Sequence, residues 1–192
     1  LILPYKNGYL STVCCDIAFL FYSFPHILCY DNDIKETSYQ GGFMNILISA
    51  CLIGLYCRYD GKIKDYPAIS KLFNRPDITL IPCCPEQAGG LPTPRMAAER
   101  CGQQVKTCDD RNVTEQFEVG ARTACRLAEL YNCSYAVLKE KSPSCGFKRI
   151  YDGTFSGTLT NRSGVTAQAL SDMGVRIYGE SEIDILTDSL LP

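Results

Sequence analysis

The sequence predicts an α/β fold: a mostly parallel sheet of about four strands with helices on both faces, in a single small domain. Two observations predict it. Short apolar runs rich in β-branched residues recur along the chain, and amphipathic or turn-rich segments separate them. With 46% hydrophobic residues in 192, there is enough apolar material to bury a core.

The elements follow in order from Met44. Asn45 to Ser49 is a short apolar run of the kind expected in a buried parallel strand, and it ends at Ala50-Cys51. Arg58-Tyr59-Asp60-Gly61 reads as a turn. Pro67 opens a short helix through Phe73, since proline is tolerated in a first turn. Ile78 to Ile81 is the second strand, ending at Pro82-Cys83-Cys84-Pro85-Glu86, and a Gly- and Pro-rich loop, Gly89 to Arg95, follows. Thr114 is the expected N-cap of a long helix, with Glu115 at the positive end of its dipole. Phe117, Ala121, Ala124, Ala128 and Tyr131 form its apolar face. Tyr135 to Leu138 is the third strand and runs into Lys141-Ser142-Pro143-Ser144-Cys145-Gly146. Gly164 to Met173 reads as a last helix closed by Gly174, and Val175 to Tyr178 as a fourth strand.

The first 43 residues carry no sustained periodicity. The reading here is that they are translated leader sequence, or an extension without regular structure. The native start is then Met44, because Gln40-Gly41-Gly42 back-translates to a purine-rich bacterial ribosome-binding site. The domain proper is expected over residues 44–192.

Charge and cysteine usage narrow the function classes. Net charge is −2, and from Met44 onward basic and acidic residues balance. No nucleic-acid or anionic-membrane surface is expected. Twelve cysteines would suit a disulfide framework in a short secreted chain. This chain is long enough for its own core. The apolar run 17–22 has neither a basic cluster before it nor a small-residue cleavage site after it, so a cytoplasmic setting is expected. The only histidine is His26. Catalysis by Ser-His-Asp or Cys-His is therefore excluded from Met44 onward, as are His-containing zinc sites. A metal held there must rest on thiolates and carboxylates.

In open α/β sheets, function gathers outside the carboxyl ends of the strands. Cys51, Cys84 and Cys145 each follow one strand, so adjacent parallel strands would bring three thiols to one edge. Three readings compete for them: small buried hydrophobes, structural zinc, or an iron–sulfur cluster. Zinc is the weaker metal reading because no Cys-x-x-Cys pair exists. Iron–sulfur clusters need only soft thiolates. Cys125 and Cys133, on or just after the long helix, read as packing residues, and Cys101 and Cys108 as loop residues. Glu86 and Ser142 stand beside the trio. A carboxylate there can take a proton from water, and a hydroxyl can donate or accept.

The residues carry a resemblance. Ser49-Ala50-Cys51-Leu52-Ile53-Gly54, Cys57-Arg58-Tyr59-Asp60-Gly61, Cys84-Pro85-Glu86 with Gly89 to Arg95, Ser142 to Gly146, Ile150 to Gly157 and Gly164-Val165-Thr166-Ala167 occur in order. With these motifs the chain resembles the 2-thiouracil desulfidases, a family of small iron–sulfur proteins. The resemblance covers residues 44 to about 180. It implies a [4Fe-4S] cluster held by Cys51, Cys84 and Cys145 with one iron left open. It also implies a small thiolated substrate whose thiocarbonyl sulfur would be bound by that iron, the iron acting as the Lewis acid. Glu86 would activate the attacking water, Ser142 would assist proton transfer, and no net redox change would occur. The chain departs from the family pattern at Cys83, which stands where the family has an aliphatic residue before the Cys-Pro-Glu cysteine. Adjacent strand residues point to opposite faces, and Cys84 carries the motif. Two rivals remain open: a closed redox or sensing cluster with Cys57 as fourth ligand, and a metal-free enzyme whose glycine-rich loops cradle a phosphate.

Overall fold

The structure, a computed structural model, describes residues 43–190. The leader reading for the N-terminal segment lies, apart from Phe43, outside the described residues. The elements in chain order are β1 (Met44–Ser49), α1 (Ser70–Phe73), β2 (Ile78–Cys83), α2 (Pro85–Ala88), β3 (Ala98–Cys101), β4 (Gln104–Thr107), α3 (Thr114–Leu130), β5 (Tyr135–Leu138), β6 (Ile150–Tyr151), β7 (Leu159–Thr160), α4 (Val165–Asp172), β8 (Arg176–Gly179) and α5 (Ile183–Ser189). Four strands form one sheet in the order β2-β1-β5-β8, and every pairing in it is parallel.

The strands are apolar on both faces because both faces are covered. Leu47, Ala136, Leu138 and Ile177 belong to one apolar cluster with Ala124 and Ala128 of α3 and Ala167 and Leu170 of α4. Ile46, Ile48, Tyr135 and Val137 belong to the opposite cluster, with Leu72 of α1 and Ile183 and Leu186 of α5. Each fully buried aliphatic side chain is worth about 1.5–3 kcal/mol relative to an exposed one. The fold class predicted from sequence is the one observed. No helix among the described residues is long and apolar enough to cross a membrane.

The differences are local. Strand β2 runs on through Pro82 and Cys83; proline is tolerated because β2 is an edge strand. Thr114 is the first helical residue and not the cap. Its hydroxyl accepts from the Val105 N–H at 2.9 Å and donates to Asn112 Oδ1 at 2.6 Å, so tertiary bonding to β4 prevails over the local cap. Tyr131 lies past the end of α3 and is exposed, off the buried face. Cys101 belongs to strand β3 and not to a loop.

The helix α2 is held against α3 by a glycine pair. A Cβ on Gly120 would sit 1.9 Å from the Pro85 carbonyl oxygen, and one on Gly89 1.8 Å from that of Gln116. Gly→Ala inside a helix ordinarily stabilises by about 1 kcal/mol. Here overpacking reverses the sign, and Gly120→Ala is expected to destabilise by about 1–3 kcal/mol, read as a lower denaturant midpoint. An unchanged or raised midpoint would show that the contact is loose.

Candidate active site

Strands β2, β1 and β5 are neighbours and parallel, so their carboxyl ends share one edge. The chain passes from β1 outward to β2 and returns to β5 on the other side of β1. The crevice there is a topological switch point, where ligands gather in such sheets. Cys84 is the first residue after β2, Cys51 sits in the 3-10 turn that ends β1, and Cys145 lies in the loop after β5. All three line one cavity of about 470 Å³. Cys57, Cys83, Glu86 and Ser142 line it too.

Backbone bonding fixes the Cys145 loop. Ser142 Oγ accepts the N–H groups of Ser144 and Cys145, each at 3.1 Å. The Pro143 and Ser144 carbonyls accept from Val165 and Thr166 at the start of α4, each at 2.9 Å. Gly164 makes that approach possible, since a Cβ there would lie 2.4 Å from the Ser144 oxygen.

Glu86 rides on α2, directly after Pro85, which sets the helical φ of the first turn. Its Oε2 accepts from Arg95 Nε at 2.7 Å in a nearly buried ion pair. Its Oε1 faces Ser142 Oγ at 3.5 Å, the outer limit of a hydrogen bond. Two backbone donors already occupy the Ser142 oxygen, so its O–H is the group directed at Glu86. Arg95 also donates to the carbonyls of Cys57 at 3.0 Å and Pro92 at 3.1 Å. It therefore ties the carboxylate to the Cys57 loop.

The thiols differ in charge state. The Cys57 thiol hydrogen-bonds to both Cys51 and Cys84, and its own pKa is driven far up by holding that proton between them. That bond is the main reason the Cys84 thiol is drawn down to about 6, with the Gln87 N–H and Arg95 assisting against burial. The same Cys57 bond lowers Cys51, with Lys139 and Arg58 adding favourable charge. Burial pushes Cys145 well up, offset in part by the Ser49 hydroxyl. Burial also pushes Cys83 up to about 12. Cys83 belongs to the apolar cluster of Leu47, Ala124 and Ala136, which also holds Cys145, and it lines the cavity as well. In metal-free protein, iodoacetamide is expected to label Cys84 with a midpoint near pH 6 and to spare Cys83 below about pH 12. Equal labelling of the two at neutral pH contradicts this ordering.

Three contributors escaped the sequence reading. Ser49 is buried, and its hydroxyl accepts the Lys139 N–H at 2.9 Å, locking the ends of β1 and β5 together. Glu99 of β3 accepts the N–H groups of Gly153 and Phe155, each at 3.0 Å, and so holds the loop after β6 beside the cavity. Arg95 was legible only as the end of a motif; its grip on Glu86 was not. No local signal marked any of these roles, because each spans residues distant in sequence.

Comparison with known proteins agrees with this architecture. The chain is similar to the uncharacterized protein YbbK of Bacillus subtilis (strain 168), with 40% identity over 152 residues, 73% of this chain and 99% of that protein. It is similar in structure to a [4Fe-4S]-dependent thiouracil desulfidase, TudS. The TM-score is 0.70 and the identity 39%, covering 77% of this chain and 99% of that one. The 2-thiouracil desulfurase family matches residues 46–182, a span that holds the three strand-end cysteines, Glu86 and Ser142, and the chain belongs to that family.

Proposed function

We propose that the chain exchanges the thiocarbonyl sulfur of a small thiouracil-like molecule for the oxygen of water, releasing sulfide, with a [4Fe-4S] cluster held by Cys51, Cys84 and Cys145. The observation that carries the reading is the shared cavity, in which three thiols from adjacent strand ends meet Glu86 and Ser142. Family membership and the likeness to TudS support the substrate class and the cofactor.

The donor set fits such a group. Among the described residues no three His, Cys, Asp or Glu side chains are arranged to hold one metal ion. A lone tetrahedral ion would draw sulfurs to ~2.3 Å from a single point. Three thiols at one cavity offer only soft donors, and soft donors suit an iron–sulfur cluster. Two of the three, Cys51 and Cys84, are already drawn toward the thiolate form that ligation needs.

Bound to three thiolates, the cluster supplies a thiophilic Lewis acid for the substrate sulfur. The chain's own residues handle the protons. Glu86 Oε1 takes a proton from the water that attacks the thiocarbonyl carbon, while Arg95 keeps the carboxylate aimed. The Ser142 hydroxyl passes a proton toward the departing sulfur. One thiocarbonyl and one water give one carbonyl and one hydrogen sulfide, and no electron is gained or lost. Anaerobically reconstituted protein is expected to carry about four irons per chain and to release sulfide from 2-thiouracil. Iron-free protein of equal activity, or iron-loaded protein that releases no sulfide, overturns the reading.

One observation favours a second reading. Cys57 is buried, lines the same cavity as Cys51 and Cys84, and accepts the Cys84 thiol at its carbonyl at 3.7 Å, so it stands where a fourth ligand could close the cluster for redox or sensing work. Cys57→Ser separates the two. With an open site, iron content and visible spectrum are expected to survive, because serine keeps a hydrogen-bond donor near the two thiolates. Loss of about one iron or of the whole cluster moves the assignment to the closed site.

A further inference from the structure

Strand β3 has a second side. Glu99 lines the cavity described above, and Arg100, its neighbour on the strand, points the other way into a separate cavity of about 520 Å³. That cavity is lined by Arg100, Lys148, Asn161, Arg162, Ser163 and Gln168. Three cations face it, and among the described residues no carboxylate does. None of the three is in a salt bridge with a described residue.

The guanidinium groups are fixed by neutral carbonyls instead. Arg100 Nη1 donates to the Ser163 carbonyl at 2.7 Å, and Arg162 Nη2 donates to the Gly102 carbonyl at 2.5 Å. Arg100 Nε is buried with no hydrogen-bond partner. Burial, and then the like charge of Arg162, pull the Arg100 pKa down from its ordinary value. The fold therefore holds two guanidinium groups together at an open pocket, with an ammonium beside them and no carboxylate among the lining residues. Gln168 donates to Asp172 at 2.8 Å, but Asp172 does not line the cavity.

We propose that this cavity is a binding site for a phosphate-class oxyanion, either the free ion or the phosphoryl group of a small metabolite. Planar guanidinium forks match tetrahedral oxyanions, and the neutral walls of Asn161, Ser163 and Gln168 add uncharged donors. The domain as a whole carries no excess of positive charge, so the recognition is local and not that of a nucleic-acid surface.

The test is calorimetric titration of the full chain with inorganic phosphate and, separately, ribose 5-phosphate, at constant ionic strength against chloride. Saturable binding of at least one is expected. Arg162→Gln with Lys148→Gln is expected to weaken it by about tenfold or more, whereas Arg162→Lys keeps it within about threefold. Lys71→Gln with Arg126→Gln removes the same charge elsewhere and is expected to change nothing. Tighter binding of the sugar phosphate identifies a metabolite as the ligand source, and equal binding identifies the free ion. No saturable binding of either, or equal weakening in the control pair, overturns the site.

Discussion

Glu86→Gln is expected to leave iron content and visible spectrum unchanged while sulfide release falls by at least ~10²-fold, within the ~10²–10⁴-fold range typical of general acid–base groups. The reason is geometric. Oε2 of the carboxylate is taken by Arg95 at 2.7 Å, and Oε1 faces Ser142 at 3.5 Å. In the glutamine variant the amide oxygen turns to Arg95, which can only donate. The amide N–H groups then point at Ser142 and the attacking water. A donor stands where an acceptor is required, and an amide takes no proton near neutral pH. The side chain keeps its volume, and α2 remains clamped by Gly89 and Gly120, so the thiols keep their positions. Full activity removes Glu86 from the mechanism, and loss of iron makes it a structural residue.

Cys84→Ser is expected to reduce iron from about four per chain to background, and Cys83→Ser to leave it unchanged. Cys84 sits in the hydrogen-bonded thiol group with Cys57, and its thiol is drawn down to about 6. A serine hydroxyl is hard and stays protonated, so it does not replace a thiolate on a soft metal. Cys83 ends β2 in the apolar core, with its thiol pushed up to about 12. Cys51→Ser and Cys145→Ser are expected to behave as Cys84→Ser does. Cys125→Ser, on α3 and away from the cavity, is the control. The reverse result within the 83/84 pair would reassign the ligand.

The four core strands were legible because each is a short run rich in apolar residues, buried throughout in β5 and mostly in β1, and α3 because its buried residues recur at helical spacing. The β3–β4 hairpin was missed. Its strands have four residues each, and only Val105 and Thr107 on β4 and Glu99 on β3 are buried. One signal was present: Gly102, at φ +63, opens a two-residue turn. Helix α5 was missed although Ile183 and Leu186 stand at helical spacing, because the segment is short and lies at the end of the described chain. The convergence of Cys51, Cys84 and Cys145 could be anticipated because strand ends of a parallel sheet share an edge. The clamp of Arg95 on Glu86 and Cys57 could not, since it depends on how the loop from Gly89 to Arg95 folds back.

At the centre of the proposed mechanism, water handled by Glu86 supplies the oxygen that replaces sulfur. The direct measurement is the mass of the product formed by anaerobically reconstituted protein in 18O-enriched water without added reductant. The predicted result is one 18O in the product for each sulfide released. Turnover that requires a reductant, or product without 18O, would contradict it.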